Sequence, residues 1–79
     1  MFKIPLTPKQ SEVKKFLEEF FKRFEYMPTV KEIAEGKIAD KQIIDKRTEG
    51  PIANILDRLE ERGHIERAEQ RRARAIRLL

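Results

Sequence analysis

The side chains best suited to reading another molecule lie between Thr48 and Gly63, in the stretch TEGPIANILDRLEERG. Asn54 holds a carboxamide, which can bond N6 and N7 of an adenine together, although a plain surface asparagine would look the same. Arg58 suits guanine or a phosphate, and an i,i+3 pair with Glu61 is the competing reading. Glu49 can accept from a cytosine amine, or simply favour a helix dipole. Thr48 is expected first as a helix cap, accepting from orphan N–H groups, and helix N-termini also hold phosphates. Further on, Arg71, Arg72 and Arg74 crowd a basic turn. There they could clamp a sugar–phosphate backbone or enter a minor groove, with a solvated turn as the alternative. Lys31, Lys41, Lys46 and Arg47 are further candidates for phosphate contacts. Six such contacts would make log K fall with log salt at a slope of about −5.

Catalysis finds little to work with. The chain has one histidine, His64, one serine, Ser11, and no cysteine. No Gly-rich phosphate loop and no HExxH is present. We therefore expect no enzyme, no metal, no cofactor and no small-molecule substrate, with His64 half exposed at a turn. Without cysteine there is no disulfide framework, and no apolar run approaches a membrane span, so a soluble cytoplasmic protein is the expectation. The net charge is +4, and residues 64–79 hold five arginines against two glutamates, a net +3. Most of the excess thus sits in one-fifth of the chain, the footprint of a polyanion binder.

These side chains need elements to hold them. With 79 residues, the chain has room for one domain, 1–79, with one core. Thr7-Pro8 opens a first helix at about 8–25, with Gln10 completing a capping box. Val13, Phe16, Leu17, Phe20, Phe21 and Phe24 form its apolar stripe, expected inside. Ahead of it, Phe2, Ile4 and Leu6 alternate as if to pack on the body. Thr29 and Glu32 form a second capping box for a helix at about 30–36, which buries Val30, Ile33 and Ala34. The connection at 37–47 is open to two readings: a loop with one extra helical turn from Asp40, or a distorted continuation of the second helix. A third helix at about 49–62 buries Ile52, Ile55, Leu56 and Leu59, tolerates Pro51 in its first turn, and stops at Gly63. Residues 64–79 read as a two-stranded hairpin, with Ile65 and Ala68 turned inward and a turn at 69–72. Such a hairpin needs the helices behind it.

Four segments in order resemble the N-terminal DNA-binding domain of LexA-type repressors: LTPKQSEV (6–13), MPTVKEIA (27–34), LDRLEERGHIER (56–67) and RAIRLL (74–79). Together they span nearly the whole chain. The resemblance implies a mainly α fold with a small β-hairpin, a three-helix winged helix-turn-helix. It also implies double-stranded DNA as partner, with the third helix in the major groove and the wing on the backbone or minor groove. The family's base readers fall on Thr48, Gly50, Pro51, Ala53 and Asn54. Ordinary members carry acidic residues where this chain has Ala53 and Asn54, so the family's operator is not expected to carry over. They also join helices 2 and 3 by a brief turn, whereas 37–47 adds roughly two helical turns' worth of chain. The family's serine–lysine self-cleavage domain has no counterpart here, which suggests an excised domain or a stand-alone relative. A homodimer or a tethered partner domain is expected for specific sites.

The rival class is a winged helix that binds protein, since the fold can present its third helix or wing to a partner. The two readings separate on the wing. If the chain grips DNA, Arg71→Ala with Arg72→Ala should weaken duplex binding and flatten the log K against log salt plot by about two. A titration at several salt concentrations reads this, and a protein adaptor predicts no such change.

Overall fold

Two of the three helices begin at a capping box that the sequence supplies. The computed structural model describes residues 5–67 and 76–79. Their order is α1 (Pro8–Phe24), α2 (Val30–Glu35), β1 (Lys37–Ile38), β2 (Lys41–Gln42), α3 (Glu49–Glu61), β3 (Ile65–Arg67) and β4 (Ile76–Leu78). At α1, the Gln10 N–H donates to the Thr7 hydroxyl while the Gln10 side chain accepts from the Thr7 N–H. Thr29 and Glu32 repeat this reciprocal bonding at α2. The α3 stop is a Schellman motif: Gly63 at φ 80° lets its own N–H reach the Glu60 carbonyl and the His64 N–H reach that of Leu59.

The core is one cluster drawn from all three helices and both hairpins, with Ile38 of β1 among its members. Val13, Phe16 and Leu17 of α1, Ile33 of α2, and Ile52, Leu56 and Leu59 of α3 are fully buried, and Ile65 nearly so. α3 packs against both α1 and α2, and β3 lies against α3. The β3–β4 ladder is antiparallel, with Ile65 opposite Leu78 and Arg67 opposite Ile76. This is a mainly helical, winged helix-turn-helix architecture, as the sequence implies.

Three expectations are corrected. The aromatic stripe is not wholly interior: Phe16 and Phe20 are buried, but Phe21 is 46% exposed. It lines a shallow groove of about 170 Å³ with Met27, Ile76 and Leu78. A six-residue phenylalanine-rich stripe is wider than the core can cover, so one ring faces out. His64 is buried, not half exposed: the Leu79 N–H, just past β4, donates to its carbonyl, and α1 reaches its ring. Its Nδ1 accepts from the Lys14 ammonium at 3.0 Å. Leu6 packs partly on the core as expected, whereas Phe2, Ile4, Ala68 and the turn at 69–72 lie outside the described residues.

The third correction concerns 37–47, which adopts neither helical reading. It folds as a small antiparallel hairpin, Lys37 opposite Gln42 and Ile38 opposite Lys41. The two loop residues, Ala39 and Asp40, both have positive φ, 51° and 67°, as a two-residue loop of the favoured hand requires. Neither is glycine, so no turn signal marked it in the sequence. What makes the hairpin stable is the end of α2. The Gly36 carbonyl accepts from the Ile43 and Ile44 N–H groups, and the Ala34 carbonyl from the Arg47 N–H at 2.7 Å. The Gln42 side-chain amide donates to the Glu35 carbonyl at 2.9 Å and to that of Ile44. Three successive carbonyls that a helix end leaves orphaned are thus satisfied by the connection itself.

Gly36 is the fixed point of this arrangement. Its φ is +70°, and a Cβ there would overlap the Ile44 carbonyl oxygen. Gly36→Ala should therefore cost about 2–4 kcal/mol from left-handed strain and overlap combined. Urea denaturation reads this as a lowered midpoint at unchanged m, and a loss within error of zero would contradict the seat described.

Candidate nucleic-acid interface

α3 divides cleanly into two sides. Ile52, Leu56 and Leu59 face the core, while Gly50, Asn54, Arg58 and Glu61 are exposed. Their spacing of four, four and three places them along one line of the helix surface. Glu49 and Pro51 are exposed beside them, and Ala53 is half-buried on the flank. A Cβ on Gly50 would meet nothing within 4 Å, so packing inside the chain does not call for glycine there.

Thr48 departs from its expected role. It has the extended backbone of an N-cap, yet its side chain makes no capping bond. The reason lies three residues on. Thr7 and Thr29 accept from the N–H of the third helical residue, and at α3 that residue is Pro51, which has none. The Thr48 hydroxyl therefore stays exposed at a helix start whose orphan N–H groups also lack a cap.

The charged residues separate into exposed and engaged. Arg58 Nη1 donates to Glu61 Oε2 at 3.0 Å, the i,i+3 pair, with both side chains about 60% exposed. Such a pair is worth little in water and yields readily to a better partner. Lys31, Lys37, Lys41 and Lys46 are exposed. Arg47 is not: its side chain is 18% exposed and pairs with Glu12 of α1 at 3.4 Å, beside its backbone bond to α2. It joins three elements just ahead of α3. Arg71, Arg72 and Arg74 lie outside the described residues.

One engaged arginine was invisible to sequence reasoning. Arg67 of β3 turns back onto α3, where Nη2 donates to Asp57 and, at 3.1 Å, to Glu60. Burial works against its charge, but the hydrogen bonds to Asp57 and Glu60 and their negative charges outweigh it, so its pKa is raised. Asp57 and Glu60 share this one guanidinium, so their two negative charges are partly offset from within the chain. Separations of ten and seven residues across a turn match no local spacing rule. Asn54, Asp57, Arg58, Glu60 and Glu61 border one polar groove of about 280 Å³.

Among the described residues no group of three or more His, Cys, Asp or Glu could hold a metal ion, and no helix is long and apolar enough to cross a membrane. The arrangement offers a helix with hydrogen-bonding side chains outward and an adjoining hairpin. Comparison with known families agrees with this geometry: the family model described as LexA DNA binding domain matches residues 3–75. No curated protein matches the chain.

The missing cap gives a contrast that denaturation can read. Thr29→Ala should cost about 1 kcal/mol, whereas Thr48→Ala should cost less than about 0.5 kcal/mol, since no capping bond is lost. Equal costs at the two positions would mean that Thr48 caps α3 after all.

Proposed function

The chain belongs to the LexA DNA binding domain family, and from that premise we propose a sequence-specific transcriptional regulator acting as a repressor. Domains of this family bind double-stranded DNA in a regulatory role and are not catalytic. In our proposal α3 enters the major groove, and the β3–β4 wing lies on the adjacent backbone or minor groove. The observation that carries it is the exposed line Gly50–Asn54–Arg58, held outward by a fully buried opposite side. Asn54 is the adenine reader and Arg58, released from Glu61, takes guanine or a phosphate. Gly50 and Ala53 let the backbone come close to base edges. Thr48 and the first-turn N–H groups hold a phosphate, and Glu49 favours the helix dipole or meets a cytosine amine.

Around this centre, Lys31, Lys41 and Lys46 contact phosphates on the helical side, and Arg71, Arg72 and Arg74 do so from the wing. Arg47 serves this reading indirectly, by fixing the start of α3 against Glu12. The longest extent of the molecule is 36 Å, about one turn of duplex, so one copy spans a single half-site. Specific sites would then call for a homodimer or a tethered partner domain, working at the nucleoid. A protein-binding module is the second reading, supported by the acidic residues late in α3. Arg67 weakens it by covering two of them, Asp57 and Glu60.

Selection of bound duplexes from a random pool at two salt concentrations tests the proposal. A common sequence should be enriched at both, with a slope of log K on log salt near −5 if about six phosphates are contacted. Asn54→Ala should then lose about 1–3 kcal/mol of discrimination at one A·T pair and leave the others intact. A pool with no enrichment at either salt would reject sequence readout.

A further inference from the structure

We propose that Arg67 is a positioning residue: it sets the wing on the recognition helix and screens that helix's carboxylates from phosphate, without touching DNA itself. The inference rests on the DNA-binding reading above. Arg67 is the last described residue of β3, opposite Ile76, so its backbone lies at the base of the wing. Its guanidinium does not continue outward with the strand. It folds back onto α3 and bonds two carboxylates one turn apart, Asp57 and Glu60. The Arg67 backbone N–H donates to Glu60 as well, at 3.3 Å. Main chain and side chain of the wing's base are therefore both tied to one turn of α3.

This joint differs from the neighbouring ion pairs. Arg58–Glu61 and Arg77–Glu66 have both partners more than half exposed, whereas the Arg67 side chain is 9% exposed. A planar guanidinium held by two carboxylates fixes direction as well as distance, which an ammonium cannot do. The wing's angle on α3 is thus set by three side chains and not by strand pairing alone.

Charge gives the second half of the argument. Asp57 and Glu60 border the same polar groove as Asn54, one and two turns along. Left unpaired, they would place two negative charges beside the proposed base reader and facing a polyanion. Arg67 reduces the trio to a single net negative charge and holds it where the guanidinium shields it. Since the side chain is covered and already engaged, it is not a phosphate ligand in waiting.

Three proteins test this: the wild type, Arg67→Gln, and Arg67→Gln combined with Asp57→Asn and Glu60→Gln. The last keeps the test open should the single variant fail to fold, because removing every partner of a charge network is milder than leaving two carboxylates without theirs. In free protein, residual dipolar couplings should show the β3–β4 hairpin reoriented relative to α3 in both variants. On the duplex selected by the wild type, Arg67→Gln should weaken binding by at least about tenfold and lower the ratio of selected to random duplex affinity. The combined variant should recover about half of the lost log K, the share due to repulsion, but not the ratio. In the combined variant, which leaves no unpaired carboxylate at the joint, the slope of log K on log salt should stay within error of wild type. A slope shallower by about one would mean that Arg67 itself contacts a phosphate, and would overturn the proposal. Unchanged hairpin orientation, or undiminished binding by Arg67→Gln, would overturn it equally. If the wild type selects no duplex, the DNA-binding reading fails, and the dipolar couplings alone then decide the joint.

Discussion

One helix has to be inside and outside at once, and the rest of the fold is arranged so that it can. Ile52, Leu56 and Leu59 are fully buried in the same cluster as Val13, Phe16, Leu17 and Ile33. At about 2 kcal/mol for each buried aliphatic side chain, no polar contact on the surface competes with that preference. It fixes the rotation of α3 about its own axis, and so it decides that Gly50, Asn54 and Arg58 look outward. In the proposed reading those residues meet base edges, and their precision is inherited from the core beneath them. A loop carrying the same side chains would have to be ordered at the moment of binding.

The start of α3 is set by a different kind of force. The connection between α2 and α3 is long, yet its ends are held together at one place, the last turn of α2. Backbone bonds to Ala34 and Gly36 and the Gln42 amide on Glu35 close the hairpin against that turn. Arg47 then pins the outgoing chain to α1 through Glu12. Extra length therefore adds little freedom at the first residue of α3, and the connection reads as a brace for the helix.

Electrostatics is organised by depth. Exposed pairs such as Arg58–Glu61 are weak and exchangeable, which suits side chains proposed to leave for a nucleic acid. In the Arg67 network the guanidinium is covered while its two carboxylates stay partly exposed, and the three charges are held together by hydrogen bonds. The first kind leaves the surface adaptable, while the second holds the wing's base to α3. A Thr48 hydroxyl without a capping bond belongs with the first kind.

What the sequence determined by itself follows from interactions between near neighbours. The capping boxes at Thr7 and Thr29, the stop at Gly63 and the 3–4 spacing of Ile52, Leu56 and Leu59 each depend on residues within one or two turns, so pattern alone found them. Thr48 is the exception: its residue type predicts a cap, but Pro51, three residues on, has no N–H to donate. Tertiary structure decided what depends on distant parts. The hairpin at 37–47 has no glycine turn and owes its form to three carbonyls at the end of α2. Phe21 faces out and His64 is buried because of what the core and the elements packed on it do or do not cover. Arg67 finds Asp57 and Glu60 because a turn brings β3 back along α3. Local bonding is written in adjacent residues, whereas coverage and charge pairing across elements exist once the chain has closed on itself.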